Sequence, residues 1–363
     1  MAGSGAVTIE GRGVAALSAA LLLARQGIAF DLAGPPPAPG PVLLLHPGTL
    51  SLLQQVWDIP PADLPALHRV RLRAVKPLPP DEPALIEQPS VVIESAALLA
   101  CLEAKLAAVL QALPQSKPDA PPVSRNPISP PIPRLDRGPI PETQPQSPHS
   151  AKCTAPTWKL LASGRTKPPV QPNTPRCAMA EVIPSQHWLA DRAIFEAVPG
   201  GWLFLLPTGP ARALLQSQRD VPADGQDLLQ ANLAQSQVLP RLIRSVAGEP
   251  RSFAAAPYLA DPCAGLVADG CRGWIAMGDA AMALPPVTGD GVGNGIRTAI
   301  WAIACLQAVQ QGEPPAEVIA FYTWRLRDAF NRMAAHTGTP PAPEPLPDYD
   351  PPYRLDGFDL VRA

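Results

Sequence analysis

Two stretches of the chain combine residue types and spacing suited to holding a phosphorylated ligand. The first reads Gly11-x-Gly13-x-x-Ala16, with Val14 opening an apolar run directly behind the second glycine. A dinucleotide needs glycine at a tight turn, glycine where the backbone approaches the pyrophosphate, and a small third residue that lets helix and strand pack closely. The helix N-terminus then faces the phosphates. The alternative reading is that these glycines only turn the chain.

The second stretch is longer. The apolar run Trp274–Met277 leads into Gly278-Asp279-Ala280-Ala281, then Leu284-Pro285-Pro286, then Gly289-Asp290-Gly291-Val292-Gly293-Asn294-Gly295 and a long helical pattern. An aspartate at a strand end can accept hydrogen bonds from a polyol chain, and glycines at a helix start expose amide donors beside a dipole that favours negative charge. This suits a flavin, whose reduced ring develops negative charge on its pyrimidine edge. A glycine-rich loop with an ordinary helix cap is the alternative.

The elements that must carry these residues follow from periodicity. Ala6 to Glu10 reads as a short strand, Val14 to Gln26 as an apolar helix ended by Gly27, and Ile28 to Ala33 as a second strand, the opening of a βαβ unit. Ser95 to Leu113 and Gly293 to Gln311 read as helices, the latter ended by Gly312. Gly201 to Pro207 has the length and aromatic content of a buried strand that a proline stops. The alternation predicts an α/β class with a partly parallel sheet. No internal repeat is visible.

Composition narrows the class of ligand. The 363 residues suffice for one large domain or two joined ones, and a net charge of −2 gives no electrostatic reason to expect nucleic acid or an anionic membrane as partner. A small molecule or a protein is the expected substrate. The six cysteines are scattered without a CxxC pair, which predicts reduced thiols in a cytoplasmic protein. The apolar run Val14 to Ala24 lacks the basic flank of a secretory signal, and no stretch reads as long and apolar enough to span a bilayer. His46, His68, His149, His187 and His336 share no metal-ligand spacing, so no metal is expected and each reads as an ordinary surface or core histidine. His187, beside Trp188, is also a candidate lining residue for a substrate domain. Arg325, Arg327 and Asp328 read as a solvated helix face. Many of the 51 prolines crowd into Leu113 to Pro156, which reads as a disordered or polyproline-like insertion, and into Gly338 to Pro352, which reads as a surface tail.

The stretch from Gly278 to Asn294 resembles the GDAAHxxPPxxGxGxN motif of the p-hydroxybenzoate hydroxylase-like flavoproteins, the group A FAD-dependent monooxygenases. The order of motifs matches as well, with GxGxxA first and a helix behind the second motif. Gly201-Trp202-Leu203-Phe204-Leu205-Leu206-Pro207 is similar to the GWxWxxP strand of flavin halogenases and of flavoproteins that mature quinone cofactors in partner enzymes. The resemblance covers Ala6 to Ala112 and Trp158 to His336.

It implies a Rossmann-like FAD-binding domain joined to a second, sheet-containing substrate domain. The FAD-binding domain would take residues 1–112, 158–170 and 263–337, and the substrate domain 171–262. A proline-rich insertion would occupy 113–157 and a tail 338–363. Gly11, Gly13, Val14 and Ala16 would serve the pyrophosphate, Gly278 and Asp279 the ribityl chain, and Pro286, Gly289, Gly291 and Val292 the flavin ring. The implied activity is hydroxylation of an aromatic or electron-rich substrate through a flavin hydroperoxide, with NADH or NADPH as reductant and no separate nicotinamide domain. The resemblance nominates no catalytic side chain, because the cofactor performs the chemistry. Two alternatives stand beside it: oxidation of a side chain in a partner protein during quinone-cofactor maturation, and a non-catalytic accessory protein with an eroded flavin site. The departures from the family pattern are Gly34 in place of a ribose-binding acid, Glu94 in place of an arginine, Ser163 in place of an aspartate, and Met282 in place of the histidine of GDAAH.

Overall fold

The run behind Gly13 is apolar on every side, so a helix built from it has to be enclosed rather than laid on a surface. In the computed structural model it forms helix α1 (Val14–Arg25), with every residue from Ala15 to Ala24 buried. Its one polar member, Ser18, accepts a hydrogen bond from the Trp57 indole at 3.1 Å, which satisfies both groups inside the core. The structure describes residues 7–35, 40, 42–77, 84–113, 157–164, 176–187, 190–219, 225–254, 258–259, 272–284, 286, 289–337 and 351–362.

In chain order, β1 (Val7–Glu10), α1 and β2 (Phe30–Ala33) open the fold. They are followed by β3 (Val42–Leu45), α2 (Pro47–Trp57), β4 (His68–Lys76), β5 (Ala84–Glu94) and α3 (Ser95–Ala112). Strand β6 (Thr157–Leu161) precedes the run β7 (Arg176–Pro184), β8 (Arg192–Val198), β9 (Gly201–Gly209) and β10 (Arg212–Arg219). Then come α4 (Gly225–Leu233), α5 (Leu239–Leu242), β11 (Ile243–Ala254), β12 (Tyr258–Leu259), β13 (Arg272–Ala276) and β14 (Met282–Ala283). Helices α6 (Gly291–Gln310) and α7 (Pro315–Thr337) and the hairpin β15 (Tyr353–Asp356) and β16 (Asp359–Arg362) complete the described chain.

Two sheets organise these elements. A four-stranded sheet of order β13-β6-β1-β2 is wholly parallel, and α1 connects β1 to its parallel neighbour β2. Its strands need cover on both faces, and α1 packs against both α3 and α6. An eight-stranded sheet of order β11-β7-β10-β9-β8-β4-β5-β3 is antiparallel except for the β4–β8 pair. It buries apolar residues on both faces: Leu203, Leu205 and Leu215 on one, Trp202, Phe204 and Leu206 on the other. This is the predicted α/β architecture, a parallel nucleotide-type sheet joined to a second sheet.

Several local expectations need correction. Pro207 does not stop its strand: β9 runs on to Gly209, with Pro207 opposite Ala213 of β10. Strand β8 pairs with β9 only as far as Leu205, so Pro207 sits where one side of β9 no longer needs a donor. Helix α6 begins two residues earlier than predicted, and α1 ends one residue sooner. Helix α3 has 18 residues with mean hydropathy 1.5, so among the described residues one helix is long and apolar enough to cross a membrane by length and composition alone. In the fold, Leu98, Leu102 and Leu106 form a buried stripe at four-residue spacing, and Lys105 pairs with Asp58 at 3.1 Å. Arg325 is not on a solvated face. Its guanidinium lies 4.9 Å from the Trp301 ring and 5.8 Å from that of Trp324, and burial pulls its pKa below the ordinary arginine value. The greater part of the expected insertion, residues 114–156, and most of the tail, 338–350, lie outside the described residues, as do the expected domain boundaries near 170 and 262.

The last described residues form a packed hairpin. Tyr353 is buried and donates to Glu313 at 2.9 Å, and Arg362 donates to the same carboxylate at 2.6 Å. Arg362 and then Tyr353 hold the Glu313 carboxyl below the usual carboxylate range. A carboxylate lowered in the folded state stabilises the fold above its unfolded pKa and loses that contribution as pH falls through the lowered value. The melting temperature of Arg362→Gln should therefore lie below that of the parent at pH 7. The gap should close as melts are repeated at progressively lower pH below about 4.5, the ordinary glutamate value.

Candidate functional site

The parallel strands end together. Gly11 donates its N–H to Ala33 O at 2.8 Å, Ala162 to Glu10 O at 2.8 Å, and Met277 to Leu161 O at 2.9 Å. At this carboxyl edge, where β1 and β6 lie side by side, an open α/β sheet forms a crevice. A cavity of about 420 Å³ occupies the crevice and extends to the eight-stranded sheet. That volume falls in the range of small-molecule sites.

The glycines at its edge separate into two kinds. Some are demanded by the protein itself. Gly11 has φ +125°, and a Cβ there would lie 2.3 Å from the Ala162 carbonyl oxygen. Gly278 has φ +60°, and its Cβ would lie 2.8 Å from the Ala15 Cβ. Others are not. Gly13 has φ −77°, ordinary for any residue, and a Cβ on it would meet nothing within 4 Å; Gly291 is equally unobstructed. Both line the cavity, one at the start of α1 and one at the start of α6. Neither helix has a side-chain cap, so its first N–H groups have no side chain to satisfy them. Between Gly11 and Gly13, Arg12 keeps its Nε buried without a hydrogen-bond partner. Open glycines and uncapped helix starts at the cavity together fit a bound diphosphate-containing group.

Asp290 stands at the N-cap of α6, where a carboxylate would ordinarily satisfy the free N–H groups. It is drawn away instead. Its carboxylate pairs with Arg297 and accepts from His46 Nε2 at 3.0 Å. His46 Nδ1 accepts from the Thr49 N–H at 3.4 Å, capping α2 and leaving the imidazole proton on Nε2 toward Asp290. Gly293 makes room for this arrangement, since a Cβ there would sit 2.5 Å from Asp290 Oδ1. Lower on α6, Asn294 Nδ2 donates to Met282 O at 3.0 Å. Thr298 Oγ1 accepts from Gly278 N at 2.8 Å and donates to Asn294 O at 2.7 Å. The helix thereby pins the whole turn from Gly278 to Met282.

The facing wall belongs to the eight-stranded sheet. Phe204, Leu206 and Gln216 line it from β9 and β10, and Arg73 from β4, its guanidinium 5.9 Å from the Phe204 ring. His46 lines the cavity from the loop before α2.

The predicted residues distribute clearly. Gly13 and Val14 line the cavity at the start of α1. Gly278, Asp279 and Pro286 line it from the turn after β13, and Gly289, Gly291 and Val292 from the start of α6. Gly11 and Ala16 stand behind it, buried, where they shape the turn and the helix packing. Sequence reasoning treated His46 as ordinary and did not single out Arg73 or Gln216. A histidine three residues before a threonine at a helix start could have marked His46 as a cap; no local signal marks Arg73.

Among the departures, Gly34 has φ +106°, so a side chain there would be strained and its Cβ would crowd Gly11 N at 3.3 Å. Glu94 and Ser163 are exposed and Met282 is buried. His187 is exposed, and Trp188, Pro285 and His149 lie outside the described residues. His68 bonds the Ala190 carbonyl at 2.6 Å, a structural contact. Among the described residues no cluster of His, Cys, Asp and Glu could hold a metal. Cys101 and Cys177 are free thiols. Burial pushes the Cys177 thiol up to about 12, so it stays protonated and unreactive at neutral pH.

The two kinds of glycine should separate in a melting experiment on ligand-free protein. Gly11→Ala forces the turn against the Ala162 carbonyl and should destabilise by about 2 kcal/mol or more. Gly13→Asp places a favourable capping residue at the start of α1 in open space and should leave the melting temperature unchanged or slightly raised. Equal losses in the two variants would contradict this division.

No protein-family model matches the chain, and no curated protein matches it by sequence. Solved structures do match across nearly its whole length. The peptidyl tryptophan dihydroxylase QhpG, described as essential for tryptophylquinone cofactor biogenesis, is 17% identical with a TM-score of 0.62, covering 98% of this chain and 86% of that one. The myxobacterial chondrochloren halogenase CndH, an FAD-dependent halogenase, is 11% identical with a TM-score of 0.65, covering 92% and 82%. PqsL from P. aeruginosa, solved with 2-aminobenzoylacetate, is 13% identical with a TM-score of 0.59, covering 92% and 94%. The chain therefore has the fold of the FAD-dependent halogenases and related flavoprotein oxidoreductases.

Proposed function

We propose that the chain is an FAD-dependent monooxygenase that hydroxylates an aromatic or electron-rich substrate, with NADH or NADPH as reductant. The observation that carries this reading is a single cavity with two uncapped, glycine-lined helix starts on one wall and an aromatic sheet wall opposite. Gly11 and Ala16 shape the first turn and its helix packing, while Gly13 and Val14 receive the pyrophosphate beside the start of α1. Asp279 and Gly278 meet the ribityl chain. Pro286, Gly289, Gly291 and Val292 flank the ring, and the N–H groups freed by the diversion of Asp290 favour negative charge on its edge. When bound, FAD would supply activation of molecular oxygen with electrons from the nicotinamide. The sheet wall holds the substrate and excludes water. Free, scattered cysteines support a reducing, cytoplasmic setting.

A second reading takes the substrate to be a side chain in a partner protein. The near-complete overlap with QhpG favours it, as does the Gly201–Pro207 strand. Small aromatic compounds that accelerate NAD(P)H oxidation by the purified protein would favour the first reading. Acceleration only by a protein substrate would favour the second. Protein that is colourless and indifferent to added FAD would leave the accessory class.

Asp279→Ala and Gly13→Asp should each lower FAD occupancy tenfold or more, the first by removing a polar contact and the second by placing a side chain and a negative charge against the pyrophosphate. Flavin content equal to the parent in both variants would refute the assignment. With no acid at Gly34 and a backbone there that resists one, FAD should also be held loosely. The protein should emerge partly empty and gain about 2.7 kcal/mol of stability at a hundredfold excess of FAD over its dissociation constant. Full loading that survives dialysis would show that other contacts replace the missing one.

A further inference from the structure

Helices α2 and α6 pack against each other, and one side chain decides how both begin. The N-cap of α2 is His46, whose backbone is extended at φ −77° and ψ 168° and whose Nδ1 accepts from the Thr49 N–H at 3.4 Å. An imidazole whose Nδ1 accepts carries its proton on Nε2. That nitrogen lies 3.0 Å from Asp290 Oδ1 and 3.2 Å from the Thr49 hydroxyl. The N-cap of α6 is Asp290, with φ −101° and ψ 5° in place of the extended backbone usual at a cap, and its side chain makes no capping hydrogen bond. Its carbonyl still accepts from the Asn294 N–H at 2.7 Å. The helix therefore starts at Asp290 in its backbone but not in its side chain.

Aspartate is among the strongest capping residues, so its detachment costs stability that other contacts must offset. His46 and Arg297 supply them, one on each carboxylate oxygen. The space they use is the space a side chain at Gly293 would fill. A Cβ there would lie 2.5 Å from Asp290 Oδ1, 2.9 Å from Thr49 Oγ1 and 3.1 Å from Arg297 Nη1. Gly293 is also the third residue of α6, where a capping carboxylate ordinarily finds its N–H donor. Oδ1 is thus beside its ordinary partner and held by His46 instead. Asp290 itself is buried, while His46, Gly291 and Val292 line the cavity.

We propose that His46 is a positioning residue for the cofactor: by holding Asp290 Oδ1 off the first turn of α6, it keeps that helix start available to negative charge on the reduced flavin. The proposal rests on the reading of this cavity as a flavin site and adds how the redox poise of that site is set. His46 acts through Asp290, because both its ring nitrogens are engaged within the protein. Without the imidazole, Oδ1 turns to the Gly293 N–H. The first amides of α6 then serve a protein carboxylate, the helix start favours added negative charge less, and reduction of the flavin becomes harder.

The test uses the full chain. His46→Ser and His46→Asn both keep a cap on α2 but are too short to reach Asp290, whereas His46→Gln returns an amide donor to the place of Nε2. In FAD-loaded protein the two-electron midpoint potential of the serine and asparagine variants should fall by about 30 mV or more, a tenfold change in the reduction equilibrium. His46→Gln should recover part of the fall, and the double variant His46→Ser/Asp290→Ala should recover all of it. In FAD-free protein, amide hydrogen exchange at Val292 and Gly293 should slow severalfold in His46→Ser and return to the parental rate in the double variant. An unchanged potential in the serine and asparagine variants would overturn the proposal. So would a fall that the double variant retains, which would assign the effect to direct contact between imidazole and cofactor. A parent that takes up no FAD would defeat the flavin reading instead. Exchange in the FAD-free protein would then decide by itself whether His46 holds Asp290 away, with an unslowed His46→Ser refuting it.

Discussion

The Ala162 carbonyl oxygen comes so close to the first glycine turn that a Cβ on Gly11 would lie 2.3 Å from it. The end of β6 and the end of β1 thus meet backbone to backbone. The same closeness recurs one layer away, where Gly278 faces Ala15 and a Cβ on Gly295 would sit 3.4 Å from Ala15 N. Three segments far apart in the chain therefore converge with no side chains between them. Larger residues there would push α1 away from α6 and separate the two helix starts that share the cavity. The glycines and alanines of both motifs first bring these helices together, and only some of them remain open to a ligand.

Convergence of two helix starts concentrates positive potential, which favours an anion only if no protein carboxylate takes it first. The diversion of Asp290 meets that condition. Held by Arg297 and His46, its carboxylate leaves the N-terminal amides of α6 uncapped and also ties α6 to the start of α2. Asn294 and Thr298 extend the tie to the Gly278–Met282 turn. Alpha6 accordingly fixes the position of the turn that carries Asp279 and offers its own N-terminus to the same space.

The opposite wall is built by different physics. The eight-stranded sheet presents an aromatic and aliphatic face, to which β4 adds the charged side chain of Arg73. The cavity thus has a polar wall made mostly of backbone and an apolar wall made of side chains. Backbone donors suit a constant ligand, because their geometry hardly depends on side-chain identity. Side chains on a sheet suit a variable one, because each can change without disturbing the ladder. That division is consistent with structures of related fold whose descriptions name different reactions.

Much of this was legible in the residues. The strand–glycine–helix opening, the enclosed α1 and the turn leading into α6 are local patterns, and local patterns constrain backbone conformation directly. Which residues stand at a close approach could also be read, because glycine in a motif marks close approach whether the neighbour is protein or cofactor. The sequence could not tell those two neighbours apart: Gly11 answers to Ala162, 151 positions away in the chain, while Gly13 faces open space. Nor could it place His46 against Asp290, 244 residues apart, or Arg325 between two tryptophans, or Pro207 inside a strand whose neighbour had already ended. Arg73 shows the limit most clearly. Periodicity assigns it to solvent with Arg69 and Arg71, yet it lines the cavity beside Phe204, beyond the irregularity at which Arg71 and Leu72 both donate to the Asp191 carbonyl. Register is set by the partner strand and the loops that join them, so the face a side chain occupies was decided only when the sheet formed.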